Sequence, residues 1–326
     1  MISVVVPIFN EEENISPFHQ AIANALNTTH EEWEVVYVND GSRDSSLSLL
    51  QELQANDPHV VVADLSRNWG HMGAISAGLK VASGDAVVLM DGDFQDPPEV
   101  VPQLIQAWKD GAQVVTAVRR SRQESRKVLA LLFPMFYRVL GALSDYPIPL
   151  NAGIFGLMDR QAVDSMNSMG EINRYLPGIR AWVGYKTGVV YYDRHDRAAG
   201  EGKLSFISRI KYAMDAITSF SYKPLRLCFL MSAISCLTVF VLGLLAIFSK
   251  NQIDAVGFGV TSAIFLLGSF MFLCLGVLGE YLGRVHDEVR RRPLSIINKI
   301  YTSDALAVEG ELSFEEEFSD KIARVA

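Results

Sequence analysis

Short apolar runs alternate with segments of helical pattern along the first half of the chain. The runs with the length and apolar content of buried strands cover residues 2–6, 34–38, 60–65, 86–90 and 113–117. Helices are predicted between them, including one that ends near residue 26 and others over 74–82 and 99–110. Residues 151–160 return to the sheet. This alternation predicts an α/β fold with a doubly wound, mostly parallel sheet.

Two long apolar runs without a charged residue follow in the second half. They cover Leu227–Phe248 and Gly257–Gly279, and each is long enough to cross a bilayer core of about 30 Å. The link between them is polar, with Asn251, Gln252 and Asp254. Because runs this long and this close together are rare in soluble proteins, we predict a membrane hairpin rather than two buried core helices.

Basic residues around the hairpin predict its orientation. Lys223 and Arg226 precede the first span, while Arg284 and the arginines at 290–292 follow the second. By the positive-inside rule both ends are cytoplasmic. The chain has no basic segment before its first strand, so we expect no signal peptide. The sequence therefore predicts a multi-pass protein of the inner (plasma) membrane with a cytoplasmic amino-terminal domain.

The predicted organisation has five parts. They are an α/β domain (1–204), an amphipathic juxtamembrane helix (205–224), two transmembrane helices (225–249 and 257–283) and a cytoplasmic tail (284–326) that becomes acidic. A basic cluster over 119–127 precedes an apolar segment at 128–143. We interpret the apolar segment as an interfacial helix that places the basic cluster near lipid phosphate. The alternative is that the basic cluster is an ordinary solvated face. Gly276, Gly279 and Gly283 permit close helix packing, either in a homo-oligomer or within the hairpin.

The composition argues against several kinds of site and partner. The 326 residues are 49% hydrophobic with a mean hydropathy of +0.18, and the net charge is −8. The three cysteines, Cys228, Cys236 and Cys274, lie within or beside the spans, so they build neither a disulfide framework nor a zinc site. Because no basic stripe lies outside the juxtamembrane region, we expect no nucleic-acid partner.

The strand at 86–90 ends in the most informative polar segment. Asp91 and Asp93 follow it directly, and in an open α/β sheet ligands bind at the carboxyl ends of the strands. Side chains two residues apart on an extended strand share a face, so both carboxylates can converge on one divalent cation that bridges a diphosphate. A solvated turn is the ordinary alternative for this pair.

Other polar residues follow the neighbouring strands. Asp40, after the second strand, is a candidate for recognising a base or ribose, and an ordinary turn is the alternative. Arg67, in the glycine-bearing segment 66–73, is a candidate for phosphate, and a helix entry that needs small residues is the alternative. This segment matches neither the Gly-x-Gly-x-x-Gly nor the Walker spacing, so a dinucleotide dehydrogenase or a P-loop NTPase is unsupported. A basic, glycine-bearing segment at 191–205, with Arg197 and Lys203, is suited to close over a ligand.

Taken together, the segments 5–12, 38–42, 65–70 and 90–98 resemble family 2 glycosyltransferases. The resemblance is to the polyprenyl-phosphate branch, with dolichol-phosphate mannose synthases, GtrB-type undecaprenyl-phosphate glucosyltransferases and ArnC. Residues 276–284 and 288–293 are similar to its two-span members. The resemblance implies a Rossmann-like GT-A fold and transfer of a sugar, by analogy glucose from UDP-glucose, to polyprenyl (undecaprenyl) phosphate.

Most site residues are implied by the same resemblance. The nucleotide-sugar pocket would contain Pro7, Asn10, Glu11, Asp40 and Asp91, together with the candidate Arg67; Asp91 and Asp93 would hold Mg²⁺ or Mn²⁺; Asp93 and Gln95 would serve the reaction; and Arg119, Arg197 and Lys203 would meet phosphate or acceptor. Our own hypothesis adds Asp96 as a nearby catalytic carboxylate. Direct attack by the acceptor phosphate would invert the anomeric centre. Since that phosphate, with a second pKa of about 6, is mostly a dianion at neutral pH, no strong general base is obligatory.

The chain departs from several relatives at one segment. They carry an acidic residue and an arginine where this chain has Ile154 and Gly156. We interpret this as an active enzyme with altered sugar choice, and the alternative is a catalytically silent scaffold that binds sugar nucleotide at the membrane. A processive polysaccharide synthase would need a Gln-x-x-Arg-Trp segment and more spans, and the sequence has neither.

Overall fold

The computed structural model describes residues 1–120, 152–171, 174, 176–193, 223–247 and 252–303. Several predicted segments lie wholly or partly outside these residues. They are the basic cluster from residue 121 onward, the interfacial helix at 128–143, the glycine-bearing segment from residue 194 onward, the juxtamembrane helix up to residue 222, residues 248–251 where the first span meets the link, and the acidic tail from residue 304 onward.

The described residues fall into two compact units. One unit comprises the described parts of 1–137, 146–205 and 293–326, and the other comprises those of 206–292. The strands are β1 (Ile2–Ile8), β2 (Trp33–Asn39), β3 (Val60–Leu65), β4 (Ala86–Leu89), β5 (Val114–Arg119), β6 (Ala152–Asp159), β7 (Thr187–Tyr192) and β8 (Ile297–Tyr301). The helices are α1 (Ile15–Asn27), α2 (Ser46–Asn56), α3 (His71–Val81), α4 (Val101–Lys109), α5 (Arg160–Ser168), α6 (Leu176–Trp182), α7 (Lys223–Ile247) and α8 (Gln252–Arg290), and a short 3₁₀ helix (Pro98–Val100) precedes α4.

The strands form one eight-stranded sheet in the order β7-β5-β6-β4-β1-β2-β3-β8. The pairs β1–β2, β1–β4, β2–β3 and β5–β7 are parallel, while β6 is antiparallel to both β4 and β5. The predicted fold class, a Rossmann-like and mostly parallel GT-A sheet, is confirmed. Since β1, β2 and β4 are parallel neighbours, their carboxyl ends meet at one edge.

Helices cover both faces of the central strands, which explains why these strands are predominantly apolar. Val4, Val6 and Ile8 of β1 belong to the core cluster that contains Phe18 and Ile22 of α1. The intervening Val5 faces α3, where Gly78 allows the helix to approach. Alternate residues of β1 are therefore buried on opposite faces of the sheet.

Two strands of the sheet lie where the sequence predicts no strand. β7 includes Tyr191 and Tyr192, which the sequence assigns to a loop, and it pairs with β5. β8 lies within the predicted tail and is antiparallel to β3, with Ile300 opposite Ala63. A strand within the predicted tail is therefore integral to the sheet.

The described part of the second unit consists of helices α7 and α8, which contact each other. Within the described residues, one helical segment is long and apolar enough to cross a membrane, Gly259–Arg290 in α8, with a mean hydropathy of 2.2. The same search, limited to the described residues, finds the shorter apolar segment Met231–Val241 within α7. α8 is continuous from 252 to 290 and so extends beyond both predicted ends of the second span.

Candidate functional site

A cleft of about 290 Å³ opens at the carboxyl ends of β1, β2 and β4. It is lined by Pro7, Ile8, Phe9, Glu11, Asp40, Asn68, Gly70, His71, Ala74, Asp91, Gly92 and Asp93. Five predicted site residues are therefore brought together, namely Pro7, Glu11, Asp40, Asp91 and Asp93. Their convergence follows from the parallel pairing of the three strands that carry or precede them.

Asp40 is a buried carboxylate at the end of β2. One of its oxygens accepts a hydrogen bond from the backbone N–H of Trp69, at 2.6 Å, and its own N–H donates to the carbonyl of Ile8. Burial raises the pKa of Asp40, although hydrogen bonds from the backbone of Trp69 and Gly70 act in the opposite direction. The backbone of Asp40 is thus held by the end of β1, and its carboxylate is held by the loop after β3.

The turn after Asp40 requires glycine. Gly41 has a φ of +66°, and a Cβ there would lie 2.5 Å from the carbonyl carbon of Arg67. The neighbouring Asn39 side chain donates to Asp64 at 2.7 Å, and Asn298 of β8 donates to the other oxygen of Asp64 at 3.2 Å. These contacts join the end of β2, the end of β3 and the segment that follows α8.

Asp91 and Asp93 follow β4 in a tight turn. One oxygen of Asp93 accepts the backbone N–H of Gln95 at 3.1 Å, and the intervening Phe94 has a φ of +60°. A bulky residue in this left-handed region costs conformational energy and persists only where its surroundings hold it. Phe94 is held by an edge-to-face contact with Phe18, with ring centroids 5.5 Å apart.

His71 is a cleft residue for which the sequence analysis predicts no role. It is the first residue of α3, and its Nε2 lies 3.3 Å from an oxygen of Asp91. Its place in the glycine-bearing segment 66–73 is the signal that could have found it. Its contact with Asp91 brings the start of α3 next to the carboxyl end of β4.

The carboxylates fit a divalent cation that keeps other ligands. Within the described residues, no group of three or more His, Cys, Asp or Glu side chains is arranged to hold a metal. Asp91 and Asp93 both line the cleft, and Mg²⁺ is commonly bound by one or two carboxylates together with waters and substrate phosphates. Asp91 and Asp93 are therefore the protein residues that would hold such an ion.

Two residues predicted for the nucleotide pocket do not line this cleft. Asn10 is exposed, and its side-chain oxygen accepts the backbone N–H of Arg43 at 2.8 Å. The guanidinium of Arg67 lies 3.8 Å from the ring centroid of Trp69. Asn10 thus stabilises the loop after β2, and Arg67 is stacked at the rim of the loop after β3.

Asp96 and Arg119 are joined through a residue that sequence reasoning missed. The hydroxyl of Tyr192 donates to an oxygen of Asp96 at 2.6 Å and accepts from Nε of Arg119 at 3.1 Å. Burial and the charge of Asp96 raise the pKa of Tyr192. Burial by itself lowers the pKa of Arg119, but Tyr192, Asp96 and Asp91 outweigh this effect and raise it.

Gly156, where several relatives carry an arginine, lies next to the side chain of another arginine. A Cβ at this position would meet the carbonyl oxygen of Val115 and would lie 2.7 Å from Nη1 of Arg180. Arg180, on α6, is 3% exposed and donates to the carbonyl of Gly153. A guanidinium thus lies beside Gly156 although that residue has no side chain. Arg197 and Lys203 lie outside the described residues.

Comparisons with known proteins agree with this arrangement. Residues 3–166 match glycosyl transferase family 2. The chain belongs to glycosyltransferase family 2. Residues 223–285, which contain α7 and most of α8, match the GtrB C-terminal hairpin. This family 2 glycosyltransferase therefore combines its GT-A domain with a membrane-associated hairpin.

Relatives match along nearly the whole chain. The glycosyltransferase YkcC of Bacillus subtilis (strain 168) is 42% identical over 304 residues, 92% of this chain and 94% of YkcC. The SfII prophage-derived bactoprenol glucosyl transferase of Shigella flexneri is 38% identical over 306 residues, 91% of this chain and 97% of that protein. The prophage bactoprenol glucosyl transferase homolog of Escherichia coli (strain K12) is 37% identical over 307 residues, 92% of this chain and 99% of that protein.

Matches to solved structures have lower sequence identity. S. aureus TarS 1–349 in complex with UDP-GlcNAc has a TM-score of 0.43 and 18% identity, covering 67% of this chain and 65% of that one. Glucosyl-3-phosphoglycerate synthase from Mycobacterium tuberculosis, in complex with Mn²⁺ and UDP-glucose, has a TM-score of 0.41 and 21% identity, covering 66% of this chain and 77% of that one.

Proposed function

We propose that this glycosyltransferase moves a sugar, glucose in the first instance, from a UDP-sugar to undecaprenyl phosphate with inversion at the anomeric carbon. The observation that carries the proposal is the pair Asp91 and Asp93 in a cleft at the carboxyl edge of the sheet. The relatives named bactoprenol glucosyl transferase support the lipid acceptor. The product is a lipid-linked monophosphate sugar for cell-envelope glycan modification.

In this proposal the cleft binds the donor. Asp40 accepts hydrogen bonds from the base or ribose, beside Pro7 and Glu11. Asp91 and Asp93 would hold Mg²⁺ or Mn²⁺, and the ion would supply positive charge to offset the negative charge that develops on the departing diphosphate. Gln95 is fixed next to this pair because its backbone N–H bonds Asp93.

The transfer needs no proton to be removed. An oxygen of the acceptor phosphate forms a bond to the anomeric carbon, and the bond from that carbon to the donor's β-phosphate oxygen breaks. The electron pair leaves with the nucleoside diphosphate. Because the acceptor attacks as a dianion, Ile154 in place of an acidic residue is compatible with activity. Arg119, with Arg197 and Lys203, would neutralise the acceptor phosphate.

We also propose that the chain is a multi-pass protein of the inner membrane, with α7 and α8 as its two spans. The lengths of α7 and α8 and the match to the GtrB C-terminal hairpin support this arrangement. The basic residues outside both spans support a cytoplasmic location of the GT-A domain.

The test is transfer of labelled sugar by the purified full-length chain. The protein is incubated with undecaprenyl phosphate, Mg²⁺ or Mn²⁺ and a panel of labelled nucleotide sugars, and label is counted in the organic phase. We expect one donor to label the lipid. Asp93→Asn should reduce turnover by at least about 100-fold, since it removes a ligand charge at the leaving group. Asp110→Asn, on an exposed residue that bonds Gln106, is the matched control.

The same assay contains the outcome that contradicts the proposal. If no donor labels the lipid while UDP still binds in calorimetry, the chain is a sugar-nucleotide-binding scaffold. The substitutions at Ile154 and Gly156 are the observation that favours this second candidate.

A further inference from the structure

Asp96 is a buried carboxylate that is not among the residues that line the cleft. It is 3% exposed, and one of its oxygens accepts the Tyr192 hydroxyl at 2.6 Å. A charge that is buried to this extent must be compensated by hydrogen bonds. Asp96 is thus placed to orient Tyr192, and its burial disfavours direct contact with a substrate.

Tyr192 is fixed by packing and by its hydroxyl. Its ring meets Phe155 edge to face, with centroids 5.3 Å apart and an interplanar angle of 88°. The hydroxyl has one proton, and Arg119 can only donate, so the proton goes to Asp96 and the oxygen accepts from Arg119. The direction of both hydrogen bonds is therefore determined by chemistry.

Arg119 is held through its Nε, which bonds Tyr192. Among the described residues, neither terminal amino group is seen to donate a hydrogen bond. Nη2 lies 3.4 Å from where a Cβ on Gly153 would be, so glycine leaves room beside it. A guanidinium fixed through Nε presents its terminal donors in a planar geometry that suits phosphate oxygens.

We propose that Asp96 and Tyr192 are positioning residues that orient Arg119 toward the phosphate of the lipid acceptor. This inference rests on the proposed function, and it gives Asp96 a role other than that of a base. The three residues come from the loop after β4 and the ends of β5 and β7. The network therefore links the segment that follows Asp91 and Asp93 to the acceptor side of the reaction.

Tyr192→Phe tests the proposal because it removes one oxygen and keeps the ring. We expect the KM for undecaprenyl phosphate to rise about tenfold, the effect of losing one hydrogen bond to a charged group. The affinity for UDP with Mn²⁺ should not change. Tyr185→Phe is the matched control, since it removes a hydroxyl that bonds Ser165 at 2.7 Å. A purely structural role would lower the melting temperature without moving the acceptor KM.

A double-mutant cycle shows whether Tyr192 acts through Arg119. If it does, Tyr192→Phe should add little to Arg119→Lys, because lysine has no Nε–H for the hydroxyl to hold. Independent, additive effects on the acceptor KM would overturn the proposal. A large loss of kcat in Asp96→Asn at unchanged KM would do the same, because it would indicate a base.

Direct binding separates this inference from the proposed function. Farnesyl phosphate, a short polyprenyl phosphate, is titrated into the full-length chain by calorimetry. If the wild type binds it but transfers no sugar, the proposed function fails, and weaker binding by Tyr192→Phe still supports the network. If the wild type transfers sugar and Tyr192→Phe behaves like Tyr185→Phe in both assays, the inference alone fails. If the wild type neither binds nor transfers, both fail.

Discussion

At the residue scale, the cleft and the turn next to it contain residues that reduce the stability of the fold. Asp40 is a carboxylate that is 3% exposed, and Phe94 has a φ of +60° directly after the two candidate metal ligands. Both features reduce stability unless the surrounding structure compensates for them. Such costs are typical of functional sites, where binding rather than stability selects the residue.

Asp40→Asn should therefore raise the melting temperature at pH 7 and weaken UDP binding. Because the pKa of Asp40 is raised in the folded state, its carboxylate lowers stability as the pH rises above the ordinary value of 3.8, and the loss is complete above the raised pKa. The gain from asparagine should shrink as the pH falls to 3.8 and below, where the aspartic acid becomes protonated in both states. Thermal melts at several pH values check this, and an unchanged or lower melting temperature at pH 7 would contradict it.

The sequence predicts a cleft residue correctly where a polar side chain directly follows an apolar strand. Asp40, Asp91 and Asp93 were found because parallel strands bring their carboxyl ends together. Tyr192 and Arg180 could not be found in this way. Their partners are far away in the chain, Asp96 being 96 positions from Tyr192, and no local pattern encodes such a pairing.

At the element scale, the buried strands were predictable and the edges of the sheet were not. β1 to β5 are apolar runs, since their neighbours cover them on both sides. β7 and β8 occupy the ends of the strand order, and each pairs with a single neighbour. Most residues of β7 and β8 are exposed or half-buried, so neither strand is the buried apolar run by which the other strands were predicted.

A polar cluster joins α1, β2 and the α2–β3 connection. His19 contacts the Tyr37 hydroxyl and Asp57, each at 3.1 Å, and His59 contacts the other oxygen of Asp57 at 2.8 Å. Burial acts to raise the pKa of Asp57, but hydrogen bonds from His59 and His19 outweigh it and lower the pKa below 3.8. The Asp57 carboxylate thus stabilises the fold above pH 3.8.

Asp57→Asn should lower the free energy of unfolding by about 1 kcal/mol near neutral pH. The difference from the wild type should disappear as the pH falls through the lowered pKa, because Asp57 is then protonated in the folded state too. Urea unfolding at several pH values measures this difference in the free energy of unfolding. A difference that persists at a pH well below the lowered pKa would show that the charge of Asp57 is not the cause.

At the scale of the whole molecule, the segment after α8 is part of the GT-A domain. The carbonyl of Ile296 accepts the N–H of Ser66 at 3.0 Å, and Asn298 bonds Asp64. Gly73, in the first turn of α3, lies against Leu294 and Ser295. The last described residues therefore support the loop that carries Asn68, Gly70 and His71 into the cleft.

Two truncations test this dependence. A chain that ends at Ser303 keeps β8, so we expect UDP affinity and a monodisperse size-exclusion profile like those of the full chain. A chain that ends at Arg292 lacks β8, and it should lose UDP binding and aggregate because the edge of β3 is exposed. Normal UDP affinity in the shorter chain would show that the cleft does not need the last strand.

The position of β8 also has a consequence for synthesis. The ribosome completes β1 to β7 long before it makes residues 297–301, and both hairpin helices are made in between. During that interval the edge of β3 lacks its partner, a state that favours association with other chains. The eight-stranded sheet can therefore be completed only after both hairpin helices have been synthesised.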